Sequence, residues 1–219
     1  MSRSTIFARL ILSPTVRAWS RLTRNPVNRY SAMVLFGNLA RFGLGFIASV
    51  LLARGLGPAG MGIYASLGVV VVIATVLLDF GLTPTAINRM AERLGAGNDA
   101  RTVSGTYFWL KFGIAAVGCA IGTLAAGPLA RFVLGSVGGP GLLRLALWSV
   151  FAAALSGASA AMLQASGRFQ ALVRTWLVNT VLTVLLVVGL TLTAALNVGT
   201  AFRVAILTSL AGFAAGLYW

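Results

Sequence analysis

Residues Ala53-Arg-Gly-Leu-Gly-Pro-Ala-Gly-Met-Gly-Ile-Tyr-Ala65 read ARGLGPAGMGIYA, four glycines and a proline around a single arginine. An apolar run over 31–53 precedes them and another over 62–84 follows, each near the ~20 residues a helix needs to cross a bilayer. The stretch therefore reads as the turn between two membrane helices. Its glycines and Pro58 reverse the chain at one face, and Gly60 and Gly62 let the second helix start close to its neighbours. Turn chemistry does not explain Arg54, which stands where positive charge is otherwise sparse.

The same pattern continues along the chain. Further apolar stretches cover 105–127, 143–165, 172–195 and 200–219, with breakers at 95–99, 135–141, 166–167 and 197–199. Hydrocarbon cannot satisfy open backbone groups, so these stretches are predicted to be helices. The expected fold is all-α: a polytopic membrane protein with one lobe of six transmembrane helices over 30–219, behind a basic arm over 1–29.

Composition agrees. Of 219 residues 58% are hydrophobic and 9% charged, whereas a soluble domain carries about 25% charged residues. The balance is 17 Lys+Arg against 3 Asp+Glu, a net charge of +14. In a soluble protein that excess points to nucleic acid. Here the basic residues flank apolar runs, so membrane topology accounts for them and no nucleic-acid partner is expected. With the N-terminus inside, eleven basic residues fall on the cytoplasmic side and four (Arg54, Arg131, Arg144, Arg203) on the outer side. That bias predicts N-in and C-in. Six of the eleven lie in the arm, which contains no acid and suits anionic lipid head groups.

Catalytic material is scarce. There is no histidine, Cys119 stands alone in an apolar run, and the only carboxylates are Asp79, Glu92 and Asp99. No disulfide within the chain, metal site or cofactor is expected, and paired-carboxylate or triad chemistry has nothing to build on. The chain is not expected to be an enzyme.

Three ionisable residues fall more than a turn inside predicted spans: Arg41 near the middle of the first, Asp79 toward the cytoplasmic end of the second and Lys111 in the third. Each costs at least ~2.5–3.5 kcal/mol at mid-membrane, so each should face a partner or a watery cavity. Asp79 is expected to pair with Arg41 or Lys111, as a helix clamp or a coupling site. Two cations against one acid leave a cation without an acidic partner, and a cationic cavity suits an anion such as phosphate, which arginine holds bidentately. Asn38, Thr83, Thr85, Asn88, Gln164 and Asn179 are candidates to line it or to bond between helices. Gly118-Cys-Ala-Ile-Gly122 and Gly212-Phe-Ala-Ala-Gly216 fit small-residue helix packing.

Leu52-Ala-Arg-Gly-Leu-Gly-Pro-Ala-Gly-Met-Gly-Ile-Tyr64, Asp79-Phe-Gly-Leu82, Asn88-Arg89 and Leu163-Gln-Ala-Ser-Gly-Arg-Phe169 together carry a family likeness. They resemble polysaccharide biosynthesis proteins of the O-antigen flippase type, in the multidrug/oligosaccharidyl-lipid/polysaccharide exporter superfamily. The resemblance implies a bacterial inner-membrane protein with a cytoplasmic N-terminus. Its implied role is to move an anionic lipid-pyrophosphate-linked oligosaccharide for lipopolysaccharide assembly, by alternating access through a cationic cavity. Arg41 and Arg54 match positions where the family tends to carry cavity or gate residues, and Asn38, Asn88 and Arg89 join them as cavity candidates. Arg41 and Arg54 lie ~20 Å apart along a helix, so they serve different stages rather than one phosphate.

The resemblance departs in length, since family members usually carry about twice as many spans. A truncated gene or a fragment is the expectation, with a homodimer that rebuilds both lobes as the alternative. Partners are therefore lipid, the lipid-linked substrate and a second six-helix lobe. Two other functions compete: a cation-coupled multidrug exporter, for which Asp79 is the only candidate acid, and a non-transporting scaffold that recruits polysaccharide-assembly enzymes through the arm.

Overall fold

The computed structural model describes residues 26–135 and 139–218, which are helical almost throughout. Among these residues there are seven helices: α1 (Pro26–Asp79), α2 (Leu82–Gly95), α3 (Arg101–Leu124), α4 (Ala126–Leu134), α5 (Pro140–Ala165), α6 (Phe169–Leu192) and α7 (Val198–Tyr218). No strand occurs among them. Five helices are long and apolar enough to cross a membrane: Val34–Asp79 within α1, and α3, α5, α6 and α7. The chain is thus an all-helical, multi-pass membrane protein. Most of the arm expected over 1–29 lies outside the described residues, while Pro26 to Arg29 already belong to α1.

The glycine-rich stretch 53–65 does divide two helical limbs, as the sequence predicts, but the turn narrows to one residue, Gly57 at φ 66° and ψ 177°, with helical geometry on either side. Only glycine takes that conformation readily, because a Cβ would clash with the backbone. Gly57→Ala is expected to lower stability by about 1–2 kcal/mol, a shift that thermal unfolding in detergent would register. Gly55→Ala is the contrasting variant, since it meets the side chain of Leu196 rather than a backbone restriction.

The two limbs of α1 pack on different partners. Before the kink, Gly37 sits beside Val173 and Gly55 beside Leu196, so this limb runs alongside α6 in the same direction. After it, the Tyr64 ring lies 5.2 Å from Phe202 at the start of α7. Farther on, Leu78 abuts Gly118 of α3 and Asp79 meets Lys111. Leu52 and Tyr64 join one cluster with Val187, Ala201 and Val204, which ties the limbs together at the kink.

Two short helices replace what the sequence reads as span ends and loop. The predicted second span over 62–84 stops at Asp79. Phe80 (φ 44°) and Gly81 (φ 72°) are both left-handed and turn the chain into α2. At 14 residues α2 is too short to cross a bilayer. It buries Ala86 and Met90 and exposes Arg89 and Arg93, an amphipathic division. The predicted third span over 105–127 breaks at Ala125, where α4 begins.

The core sits around α5, half of whose membrane-length window is buried, the largest share of the five. Small residues make this possible: Ala146, Ser149, Ala152, Ala158, Ser159 and Ala161 are all buried on it. Lipid gives helices no hydrophobic reason to associate, so close backbone approach has to supply the contact energy. Both small-residue motifs are used this way. A Cβ on Gly122 would stand 2.9 Å from Leu147 Cδ1, and one on Gly216 would stand 2.8 Å from Ser159 Cβ. Outside the core, Phe36, Val76 and Leu124 are 71%, 67% and 86% exposed, a surface that suits acyl chains rather than water.

Candidate functional site

Asp79 is clamped. It closes α1, and its Oδ1 accepts hydrogen bonds from Lys111 Nζ on α3 and from Thr83 Oγ1, 2.6 Å away on α2. Thr83 also meets Tyr107 Oη at 3.0 Å and Lys111 Nζ at 3.3 Å. The Lys111 side chain is 8% exposed and that of Asp79 26%. Of the two partners the sequence allowed for Asp79, the structure selects Lys111. The resulting group joins three helices at the α1–α2 elbow. Tyr107 is a member that sequence reasoning missed. It stands four residues before Lys111, on the same helix face, and that spacing is the signal that would have found it.

With Asp79 taken, Arg41 is left as the intramembrane cation outside that clamp. It is exposed, and no ion pair among the described residues includes it. Its guanidinium lies over the Trp176 ring of α6, 5.6 Å from the centroid. Such a contact fixes the side chain and leaves its hydrogen-bond donors available. The surrounding cleft has a volume of about 540 Å³, and its polar walls are Ser49 of α1 with Asn179, Thr180 and Thr183 of α6. Thr180 and Thr183 donate to carbonyls one turn back, at 2.9 Å each, so their oxygens still have lone pairs to offer. A cation, an amide and three hydroxyls lining one cleft can hold an anion together with neighbouring hydroxyl groups.

The sequence named Arg41 and Asn179 for this cleft but not Trp176, Ser49, Thr180 or Thr183. Residues 176, 179, 180 and 183 share one face of α6 at helical spacing, a polar stripe in an apolar helix. That stripe was legible. Its proximity to Arg41 was not, because contact between the first long helix and the sixth is a tertiary fact.

The other candidates do not join Arg41. Asn38 is half-buried one turn earlier on α1 and does not line the cleft. Arg54 is exposed at the kink, 13 residues along the same helix. Asn88 and Arg89 lie exposed on α2, which packs against α3 and α5, and Arg89 pairs with Glu92 at 3.8 Å. Thr85 donates to the carbonyl of Gly81, the residue before its helix, at 2.8 Å. Gln164 is exposed at the end of α5. Among the described residues no group of three or more metal-ligating side chains occurs.

A family model described as a polysaccharide biosynthesis protein matches residues 29–219. No curated protein and no solved structure matches the chain. The family match spans every described helix but the first turn of α1, so it covers both the Arg41 cleft and the Asp79 clamp. By that match the chain belongs to the polysaccharide biosynthesis protein family, as a multi-pass membrane protein with a role in polysaccharide synthesis or export.

Proposed function

We propose that this chain forms a lobe of an inner-membrane flippase. It carries a lipid-pyrophosphate-linked oligosaccharide across the bilayer by alternating access, for assembly of a surface polysaccharide of the O-antigen kind. One observation carries the reading: Arg41 is a deep, exposed cation in a cleft whose other polar groups are hydroxyls and an amide. Pyrophosphate needs the cation, and the adjacent sugar needs groups that both donate and accept.

In this reading α1 crosses the membrane twice. Its apolar part holds 46 residues, or ~69 Å of helix, about twice a hydrocarbon core. The kink at Gly57 divides it into two limbs, which with α3, α5, α6 and α7 make six crossings and an N-in, C-in lobe. Arg54 then stands at the outer end of the first crossing as a gate. A second six-helix lobe, from another copy or from further chain, closes the cavity.

The competing exporter reading needs an acid open to a cavity, and Asp79 is engaged by Lys111 and Thr83. The recruiting-scaffold reading rests on the arm and predicts no transport.

The test is passage of a fluorescent lipid-linked oligosaccharide across vesicles holding the full native protein. Arg41→Ala is expected to slow passage at least about tenfold, the loss of one charge-assisted phosphate contact, while stability falls by no more than the ~0.5–1 kcal/mol of the Trp176 contact. Arg41→Lys should recover part of the rate, since it keeps the charge but loses the fork. Parent-like passage by Arg41→Ala would remove the cleft from the mechanism.

A further inference from the structure

A second pocket opens where the ends of several helices meet. The C-terminal ends of α2, α5 and α7, the N-terminal end of α3 and the residue before α6 surround a space of about 490 Å³. Its wall is apolar, formed by Met90, Met162, Leu163 and Leu217, with Met90 and Leu163 only 2% and 5% exposed. Its rim is polar, and among the described residues that line it Arg101 and Arg168 stand with Ser104 and Ser166 against one acid, Asp99. Asp99 Oδ1 already accepts the Arg101 backbone N–H at 2.9 Å, and its other oxygen lies 3.8 Å from Arg101 Nε. The Arg101 side chain is nonetheless 93% exposed and can swing over the opening.

We infer that this pocket binds an anionic phospholipid of the adjoining leaflet, its phosphodiester on Arg101 and Arg168 and the upper part of one acyl chain against the Met90–Leu163 wall. Charge complementarity selects the occupant. A soluble anion would use the rim and leave the apolar wall wet, and a zwitterionic lipid would bring a cation to two arginines. Basic pockets between transmembrane helices at a membrane surface suit anionic head groups, with about 1 kcal/mol from each arginine. The pocket is separate from the Arg41 cleft and shares none of its lining. The inference rests on the membrane placement of the bundle and not on what the protein transports.

Native mass spectrometry of the purified full chain tests it, with phosphatidylglycerol and phosphatidylcholine added in equal amounts. The parent should retain phosphatidylglycerol preferentially. The Arg101→Gln/Arg168→Gln double variant should lose about tenfold in that retention, less than two full arginine contacts because both side chains also interact within the protein, Arg101 with Asp99. Arg131→Gln removes one exposed positive charge on α4, outside the pocket, and should change retention little. Equal loss in Arg131→Gln, or no preference over phosphatidylcholine, would overturn the site. Displacement of the lipid by inorganic phosphate at modest concentration would also overturn it, since the acyl chain would then contribute nothing. None of these readouts involves transport, so failure here leaves the flippase reading standing, and the converse holds as well.

Discussion

Lys111→Met is expected to lower the unfolding free energy by about 3 kcal/mol. Removing one partner of a buried ion pair leaves the other charge without compensation, at roughly 3–5 kcal/mol. The side chain of Asp79 is 26% exposed and keeps some hydration, which places the cost at the lower end of that range. Asp79→Asn strands the lysine instead, and its side chain is only 8% exposed, so that variant should be at least as damaging. The double variant Asp79→Asn/Lys111→Met removes both charges and should recover most of the loss. Thermal unfolding in detergent, run as a double-mutant cycle, reads the coupling directly. Additive single effects would show that the pair holds nothing together.

Gly216→Leu should cost nearly as much, about 3 kcal/mol, through packing rather than charge. A Cβ at this position would lie 2.5 Å from Ser159 Oγ and 2.8 Å from Ser159 Cβ. The hydroxyl can rotate away, but the Cβ is fixed to the α5 backbone, so α5 and α7 must separate. Separation takes contact from the most buried helix of the bundle, where small residues make close approach the source of stability. Gly216→Ala already introduces the clashing atom and should give a smaller loss. Adding Ser159→Gly removes the opposing Cβ and should restore the Gly216→Ala melt toward the parent. If the second substitution brought no recovery, close approach of α5 and α7 would not be what Gly216 provides.

These two sites differ in how far they could be read from sequence. Gly212-Phe-Ala-Ala-Gly216 announces a packing face by its spacing, yet the same spacing arises by chance in an alanine-rich chain. Only the position of Ser159 turns it into a contact. Asp79 and Lys111 were each conspicuous, because a charge inside an apolar run demands compensation. Their pairing was one of two options until α3 was seen against the end of α1. The rest of that group was less legible: Thr83 stood out only as one of several polar residues that could line a cavity or bond between helices, and Tyr107 only by its spacing from Lys111.

The sequence by itself determined the solvent and the class of fold. A run of apolar stretches near bilayer length, with basic residues between them, leaves only membrane helices, because hydrocarbon satisfies no backbone group. It also determined the family, through short motifs at the ends of spans. Tertiary structure decided what those motifs do. The turn read in ARGLGPAGMGIYA narrowed to one glycine, Gly57, since a single ε-region residue suffices to redirect a helix when both limbs have partners to pack on. Likewise Arg41 became a candidate site only when α6 brought Trp176, Asn179, Thr180 and Thr183 to it. Apolar periodicity specifies that a helix is buried in lipid or protein, but which face meets which neighbour depends on shape and on charge pairing between segments distant in the chain.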